Sequence, residues 1–463
     1  MGIFKAYDIR GIYGENLTEK EAYKIGFYLA KYLNLNEIKI GYDIRVSSES
    51  LTKYLMKGFI DANCQVICVG MLSTPNFYFS LFSQNSSTGV MVTASHNSKE
   101  YNGFKIIFEG NSFDSRNGLY NVEKLVIEDL LELSEHFDSL HLEKVTLSEF
   151  ISKNNIVQIS KKEDYVQYLS NSFNNIFTEK EKKTLRTINF SIDFSSGMSS
   201  IAVSSLFEKL EVKFNSYNDA CDGNFPNHSP DPIKAQDYLK KIENNSEFTV
   251  AFDGDGDRIV LYDEKNEVVL PDYMIALLID YFSKENKEFV CDLRASKILL
   301  ELAEERNVNL KLMRVGRAFY TDFMKEKDCF YGAELSGHMF FKEFNYLDNP
   351  DLALIYLLKI ICIEHSKEKE FKFSKVIEKY MKYYKIPEVC IKVENLDDAL
   401  KKVFENYKDN LVMEIDGYSF EFEKYWFNIR KSNTESVLKI NIEGITKEIV
   451  EEKMKNLQKL ISE

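Results

Sequence analysis

The sequence predicts an α/β protein: three successive mixed-sheet α/β domains followed by a smaller C-terminal α+β domain. Three observations predict it. Short β-branched or aromatic runs alternate with helical patterns near the start, as "IKIGYD", "TKYLMKGFIDA", "QVICVGM", "NFYFSLFSQ" and "GVMVTA", and such alternation implies parallel strands covered by helices. The alternation returns at "TINFSIDFSSGMSSIAVSSLFEKL" and again from "FTVAFDGDGDRIVLYD" through "EFVCDLRASKILLELAEE" and "KLMRVGRAFYTDFMKE" to "CFYGAELSGH". After the Lys- and Glu-rich "HSKEKEFKF" the pattern turns mostly to strand, "VMEIDGYSFEFEKYWFNIRKSNTESVLKINIEG", and ends in an amphipathic helix. The expected domains are 1–146, 147–247, 248–367 and 368–463.

Composition bounds the function. A chain of 463 residues with 44% hydrophobic content can bury more than one core and suits roughly three or four domains. Its net charge of −14 argues against a nucleic-acid surface or a polybasic membrane patch. An anionic ligand must therefore meet a local positive cluster. The seven cysteines (Cys64, Cys68, Cys221, Cys291, Cys329, Cys362, Cys390) are odd in number and mostly inside apolar runs, which fits a reducing cytoplasm. The start, "MGIFKAYDIRG", has no apolar h-region, and Ala6 stands where an N-myristoylation signal has Ser or Thr. The longest apolar stretch, "LALIYLLKIICI" from Leu352, is interrupted by Lys359 and falls short of the ~20 residues that span a bilayer. It reads as a core helix.

The most informative chemistry is "DGDGDR", Asp253 to Arg258, between the apolar runs "TVAF" and "IVLY". Asp253, Asp255 and Asp257 alternate with Gly254 and Gly256, so a curled backbone can converge three hard oxygens on one divalent cation, with Mg²⁺ the natural candidate. The same spacing, with Glu264, imitates an EF-hand calcium loop. Arg258 replaces the glycine that loop requires, and the flanks read as strands. An acidic turn in solvent is the remaining alternative, but three like charges in one turn repel unless cations offset them.

At "GVMVTASHNSKEYNGFK", 89 to 105, a buried strand breaks off at a polar tip. A serine-hydrolase reading of Ser95 with His96 is poor, because G-x-S-x-G is absent and an adjacent histidine is rarely placed to act as base. Taken alone, Thr93, Ser95 and Asn97 also read as a plain turn.

Six motifs read together are more specific. "AYDIRG", "TASHN…YNGFK", "GNFPNHSPDP", "DGDGDR", "GAELSGH" and "RKSNT" occur in this order, and the chain resembles the α-D-phosphohexomutase superfamily over essentially its whole length. The detail is nearest the bacterial phosphomannomutase/phosphoglucomutase group. The resemblance implies four domains around a central cleft, the last swinging on a linker near 365–372, and a cytoplasmic enzyme, expected as a monomer, that binds hexose phosphates. It implies that Ser95 carries the phosphoryl group and that its phosphate, with Asp253, Asp255 and Asp257, holds Mg²⁺. Arg10, Lys105 and Arg258 are implied near the transferring phosphate, with Lys105 a candidate for taking the sugar hydroxyl's proton, and His338 beside them. Glu334 and Ser336 of "GAELSGH" would bind ring hydroxyls. Arg430, Ser432, Asn433 and Thr434, with Arg294, would bind the substrate's distal phosphate. "GNFPNHSPDP" would order a loop, with His228 structural. Arg317 stands where close relatives carry His; arginine stays protonated, so phosphate binding is the expected role there.

The implied reaction interconverts mannose or glucose 1- and 6-phosphates through a phosphoserine enzyme and a hexose 1,6-bisphosphate intermediate. Two alternatives remain. A phosphoglucosamine mutase would share most motifs, although "YNGFK" and "GNFPNHSPDP" lean away from it, and a non-catalytic sugar-phosphate-binding homologue would need a broken serine or metal loop.

Overall fold

The computed structural model describes residues 2–83, 87–242, 245–368, 370–432 and 437–462. Mixed α/β domains form as the sequence predicts, and the chain divides into two compact units, 1–269 with 337–373 and 270–336 with 374–463.

In the first unit, Glu37–Tyr42 runs parallel to Gln65–Met71 on one side and to Gly89–Val92 on the other. These strands are buried at consecutive residues, one face under Glu19–Leu33 and Ser48–Asp61 and the other against Phe77 of Thr74–Phe82. The sheet then turns antiparallel. Tyr101–Phe108 pairs with Gly89–Val92, Met91 opposite Lys105, and Ile9–Ile12 pairs with Tyr101–Phe108, Arg10 opposite Gly103. At the other edge, Val157–Gln158 pairs with Gln65–Met71, and Leu147, Phe150 and Ile151 join this core. The first domain therefore continues past the expected boundary at 146, because a short helix and strand complete its sheet before the next core begins.

The second sheet has the order Val268–Val269, Ile259–Tyr262, Phe248–Phe252, Phe190–Asp193, Asn215–Tyr217. Its centre, Phe248–Phe252 parallel to Phe190–Asp193, corrects the expected boundary at 247/248. Strand pairing joins what sequence order separates, so the acidic loop belongs with the second sheet. The stretch from Leu352 forms the core helix expected of it, Pro350–His365. No described helix is long and apolar enough to cross a membrane.

In the second unit, Glu288–Asp292 pairs in parallel with Asn309–Met313 and with Tyr331–Ala333. The C-terminal portion is the predicted α+β layer. Leu438–Gly444, Tyr425–Lys431, Tyr418–Glu421 and Leu411–Met413 form an antiparallel meander, with Val403 of helix Leu396–Tyr407 and Leu457 of helix Lys447–Ser462 in its core.

Candidate active site

The strand Gly89–Val92 is buried throughout and delivers Ser95 in the left-handed region, φ 52°. A non-glycine residue there costs roughly 1–2 kcal/mol and persists only where its surroundings impose it. Here they do. Thr93 Oγ1 accepts from the Ser95 amide at 2.9 Å. The fully buried Arg45 guanidinium donates to the carbonyls of Ser95 and Asn97 at 2.7 and 2.6 Å and of Ser98 and Tyr101 at 2.7 and 3.0 Å. Asp43 pairs with Arg45 at 3.2 Å, so four carbonyls of the loop hang from one buried cation.

The acidic loop is the turn of the hairpin Phe248–Phe252/Ile259–Tyr262, closed by Phe252 opposite Ile259. Gly256 has φ +74°, and a Cβ there would lie 2.3 Å from Ser199 Oγ. A Cβ on Gly254 would lie 2.8 Å from the Ser95 carbonyl. Both glycines are thus fixed by the approach of neighbouring backbone and helix.

Ser95 Oγ donates to Asp253 Oδ2 at 2.6 Å and lies 3.2 Å from Asp257 Oδ1. Lys105 Nζ donates to Asp255 Oδ2 at 2.6 Å and also to Asp257. His338 Nε2 is 3.3 Å from Asp257 Oδ2, and Thr74 Oγ1 donates to Asp255 Oδ2 at 2.6 Å. Arg258 Nε is 4.0 Å from Asp257, and Arg10 is held by Asn97 Oδ1 and Asp8 Oδ2, each at 2.6 Å. The expected carrier, ligands and flanking cations thus meet in one unit.

The electrostatics call for a cation. Burial, with Asp257 and Asp255 beside it, pushes the Asp253 carboxyl well above its ordinary value. Burial presses the same way on Asp257, but Lys105 and His338 hold that carboxyl well below the usual range. The three carboxylates can each offer an oxygen within 4.8 Å of the others. Asp255 Oδ1 is buried without a hydrogen-bond partner. That orphaned oxygen fits a hard divalent ion. Burial opposes the charge on Lys105, yet Asp255 and Asp257 raise its pKa above the ordinary value. Lys105 thus shares two carboxylates with the expected metal site.

The second unit holds the other expected residues. Glu334 Oε1 accepts from the Gly316 amide at 2.9 Å and Ser336 Oγ donates to Glu334 Oε2 at 3.2 Å, so the Glu334 carboxylate is oriented from both sides. Arg317 opens the helix Arg317–Lys327. Arg294 donates through Nε to Asp292 Oδ1 at 2.8 Å and sits 3.2 Å from Glu388 Oε1. Arg430, near the end of Tyr425–Lys431, lies 3.1 Å from the same oxygen, Lys439 3.3 Å from Glu388 Oε2, and Asn441 Nδ2 donates to Oε1 at 3.0 Å. Burial alone would raise the Glu388 carboxyl; Arg294, Arg430 and Lys439 bring it down to about 2. Ser432 follows that strand, with its amide donating to the Val437 carbonyl at 3.0 Å. Asn433 and Thr434 lie outside the described residues. His228, expected to be structural, is 2.9 Å from the buried Asp193 carboxylate.

Arg45, Thr74 and Glu388 were not anticipated. Arg45 carried one signal, a charged pair with Asp43 at the end of an apolar strand; the other two had none.

The comparisons agree along the chain. Residues 1–126, 163–266 and 270–384 match phosphoglucomutase/phosphomannomutase alpha/beta/alpha domains I, II and III, and 388–459 match the C-terminal domain. A phosphomannomutase of Methanocaldococcus jannaschii is 32% identical, with 99% of this chain and 97% of that protein covered. A phosphomannomutase/phosphoglucomutase of Pseudomonas syringae is 30% identical, with 96% and 91% covered. The fold is also that of a crystallised phosphoglucomutase/phosphomannomutase family protein from Burkholderia thailandensis, with a TM-score of 0.79 at 23% identity over 99% of this chain and 96% of that one. The chain belongs to the phosphoglucomutase/phosphomannomutase family and is an enzyme of the phosphotransferase isomerase kind.

Proposed function

We propose that the protein interconverts hexose 1-phosphates and 6-phosphates, of both glucose and mannose, with Ser95 as the phosphoryl carrier. The observation that supports this most is the Ser95 hydroxyl donating to Asp253 at 2.6 Å inside a buried cluster of three aspartates that also binds Lys105.

In the first half-reaction the phosphorus–Oγ bond of phosphorylated Ser95 breaks as a bond forms from phosphorus to the sugar's free hydroxyl oxygen, and the net proton passes from that hydroxyl to Oγ. Phosphoryl transfer of this kind is mostly positioning and charge stabilisation. Lys105 supplies a positive charge beside the carrier, and Arg10 and Arg258 each keep a buried Nε without a hydrogen-bond partner, free to meet phosphate oxygens. Asp253, Asp255 and Asp257 would hold Mg²⁺, which when bound neutralises charge on the phosphate. The hexose 1,6-bisphosphate then reverses, and its other phosphate returns to Ser95. The phosphate remote from Ser95 is gripped by Arg430 and Arg294, with Arg317, Ser432, Asn433 and Thr434 assigned to the same task. Glu334 and Ser336 bind the 3- and 4-hydroxyls. Between them sits apolar Leu335, so nothing in that loop reads the 2-hydroxyl that separates glucose from mannose. Five buried cysteines without disulfide partners support a reducing, cytoplasmic setting.

The test is an assay of both 1-phosphates with Mg²⁺, alongside the intact mass of the purified protein. The expected result is turnover of both sugars within roughly a hundredfold in kcat/KM and one covalent phosphate lost in Ser95→Ala. Turnover of glucosamine 6-phosphate alone, or none with any hexose phosphate, overturns it.

A further inference from the structure

Glu388 sits among the groups assigned to a phosphate. Its Oε1 accepts from Asn441 at 3.0 Å and lies 3.2 and 3.1 Å from Arg294 and Arg430, while Oε2 lies 3.3 Å from Lys439. The carboxylate thus takes one nitrogen of each guanidinium, Nη1 of Arg294 and Nη2 of Arg430, that a phosphate could otherwise use, while Asp292 holds Nε and Nη2 of Arg294. Arg430 is only 3% exposed, and its Nε is buried without a partner. Asp416 reaches Arg430 Nη1 only at 3.8 Å. Of the local charges, Arg294, Arg430 and Lys439 face Glu388, Asp292 and Asp416, and Arg314 shares Asp416 at 3.8 Å. With these carboxylates charged the cluster attracts a second anion only weakly; with Glu388 neutral that attraction rises.

We infer that Glu388 is an internal counter-anion of this subsite, which competes with the substrate's phosphate for Arg430 and Arg294 and so limits how long a sugar phosphate is held. This rests on the reading of Arg430 and Arg294 as phosphate-gripping. The reaction gives the competition a purpose. A bisphosphate that must leave and return reversed is slowed by a subsite that binds phosphate too tightly, because binding the intermediate better than the transition state lowers turnover. Glu388 returns to the guanidinium groups as the phosphate departs, so the site never carries bare, unpaired cations.

The experiment is calorimetric titration of the full-length protein with inorganic phosphate, beside steady-state kinetics with glucose 1-phosphate. Glu388→Gln keeps the shape and the Asn441 contact but removes the charge; phosphate should bind about tenfold tighter, with KM and kcat falling together. Glu388→Ala should tighten phosphate in the same sense, and added formate should weaken it again. Glu388→Asp, with its charge kept, should stay within about threefold of the parent. Equal or weaker phosphate binding in Glu388→Gln and Glu388→Ala overturns the inference, as does loss of folding in both, which would make Glu388 a structural tie. Arg430→Gln separates the two levels. If it loses phosphate binding while the Glu388 variants behave as the parent, the counter-anion falls and the phosphate subsite stands; if it binds phosphate unchanged, the subsite assignment falls and the counter-anion with it.

Discussion

The Ser95 centre and the Glu388 cluster solve opposite problems with the same few residue types. At Ser95 three buried aspartates crowd around one lysine, and a carboxylate oxygen of Asp255 is left without a partner. At Glu388 the cations Arg294, Arg430 and Lys439 gather around that carboxylate, with Asp292 and Asp416 at their outer sides, and the spare atom is a guanidinium nitrogen of Arg430. The first arrangement leaves a carboxylate oxygen unpaired and suits a cation; the second leaves a guanidinium nitrogen unpaired and suits an anion. A protein with net charge −14 can therefore still offer a local place for an anion, because near charges outweigh a distant, screened total. A third buried carboxylate shows what happens without either remedy. Asp351 has the hydroxyl of Tyr165 at 2.8 Å as its hydrogen-bond partner, and burial pushes it up to about 7.

The comparison breaks most severely at Ser95. Ser95→Ala should cut turnover by at least about a thousandfold, since the phosphoryl acceptor is gone, while circular dichroism stays unchanged. Near-normal turnover would remove the carrier role. Next, Asp255→Asn should lower kcat about a hundredfold and raise the Mg²⁺ concentration needed, because one hard ligand becomes neutral. Full activity in excess chelator would show that Lys105 alone balances the cluster.

Asp351 sharpens the contrast through pH. Its folded pKa of about 7 stands above the unfolded value near 3.8, so the folded state holds the extra proton between them. Stability is highest at and below the unfolded value and falls as pH rises to about 7. From pH 5.5 to 7 this one group should account for a loss of about 2 kcal/mol, and Asp351→Asn should flatten that part of the profile in chemical denaturation. An unchanged slope would mean that the carboxyl is already ionised, paired with something other than Tyr165. The smallest effect is expected at Arg430. Arg430→Lys keeps the charge but loses the fork, and should raise KM about tenfold with kcat little changed; a drop in kcat alone would place Arg430 at the transferring phosphate instead.

The sequence by itself determined the order of strands and helices, the change to an antiparallel C-terminal layer, and the acidic loop. Each is a local signal: apolar periodicity for the elements, glycine between carboxylates for the loop. At Ser95 the local signal was a plain turn, and only the six motifs read together singled it out. The sequence misplaced the boundaries near 146 and 247, because strand pairing decides them. Val157–Gln158 returns to the first sheet, and Phe248–Phe252 pairs with Phe190–Asp193. Only the tertiary structure decided the partners of Lys105, which donates to carboxylates 150 and 152 positions away. The same holds for Arg45, whose side chain carries the Ser95 loop from 50 positions off, and for Glu388, which reads as a solvated surface charge until Arg294 is brought to it from 94 positions away. Electrostatic and hydrogen-bonding partners act over a few ångströms in space, and along the chain that distance has no fixed image.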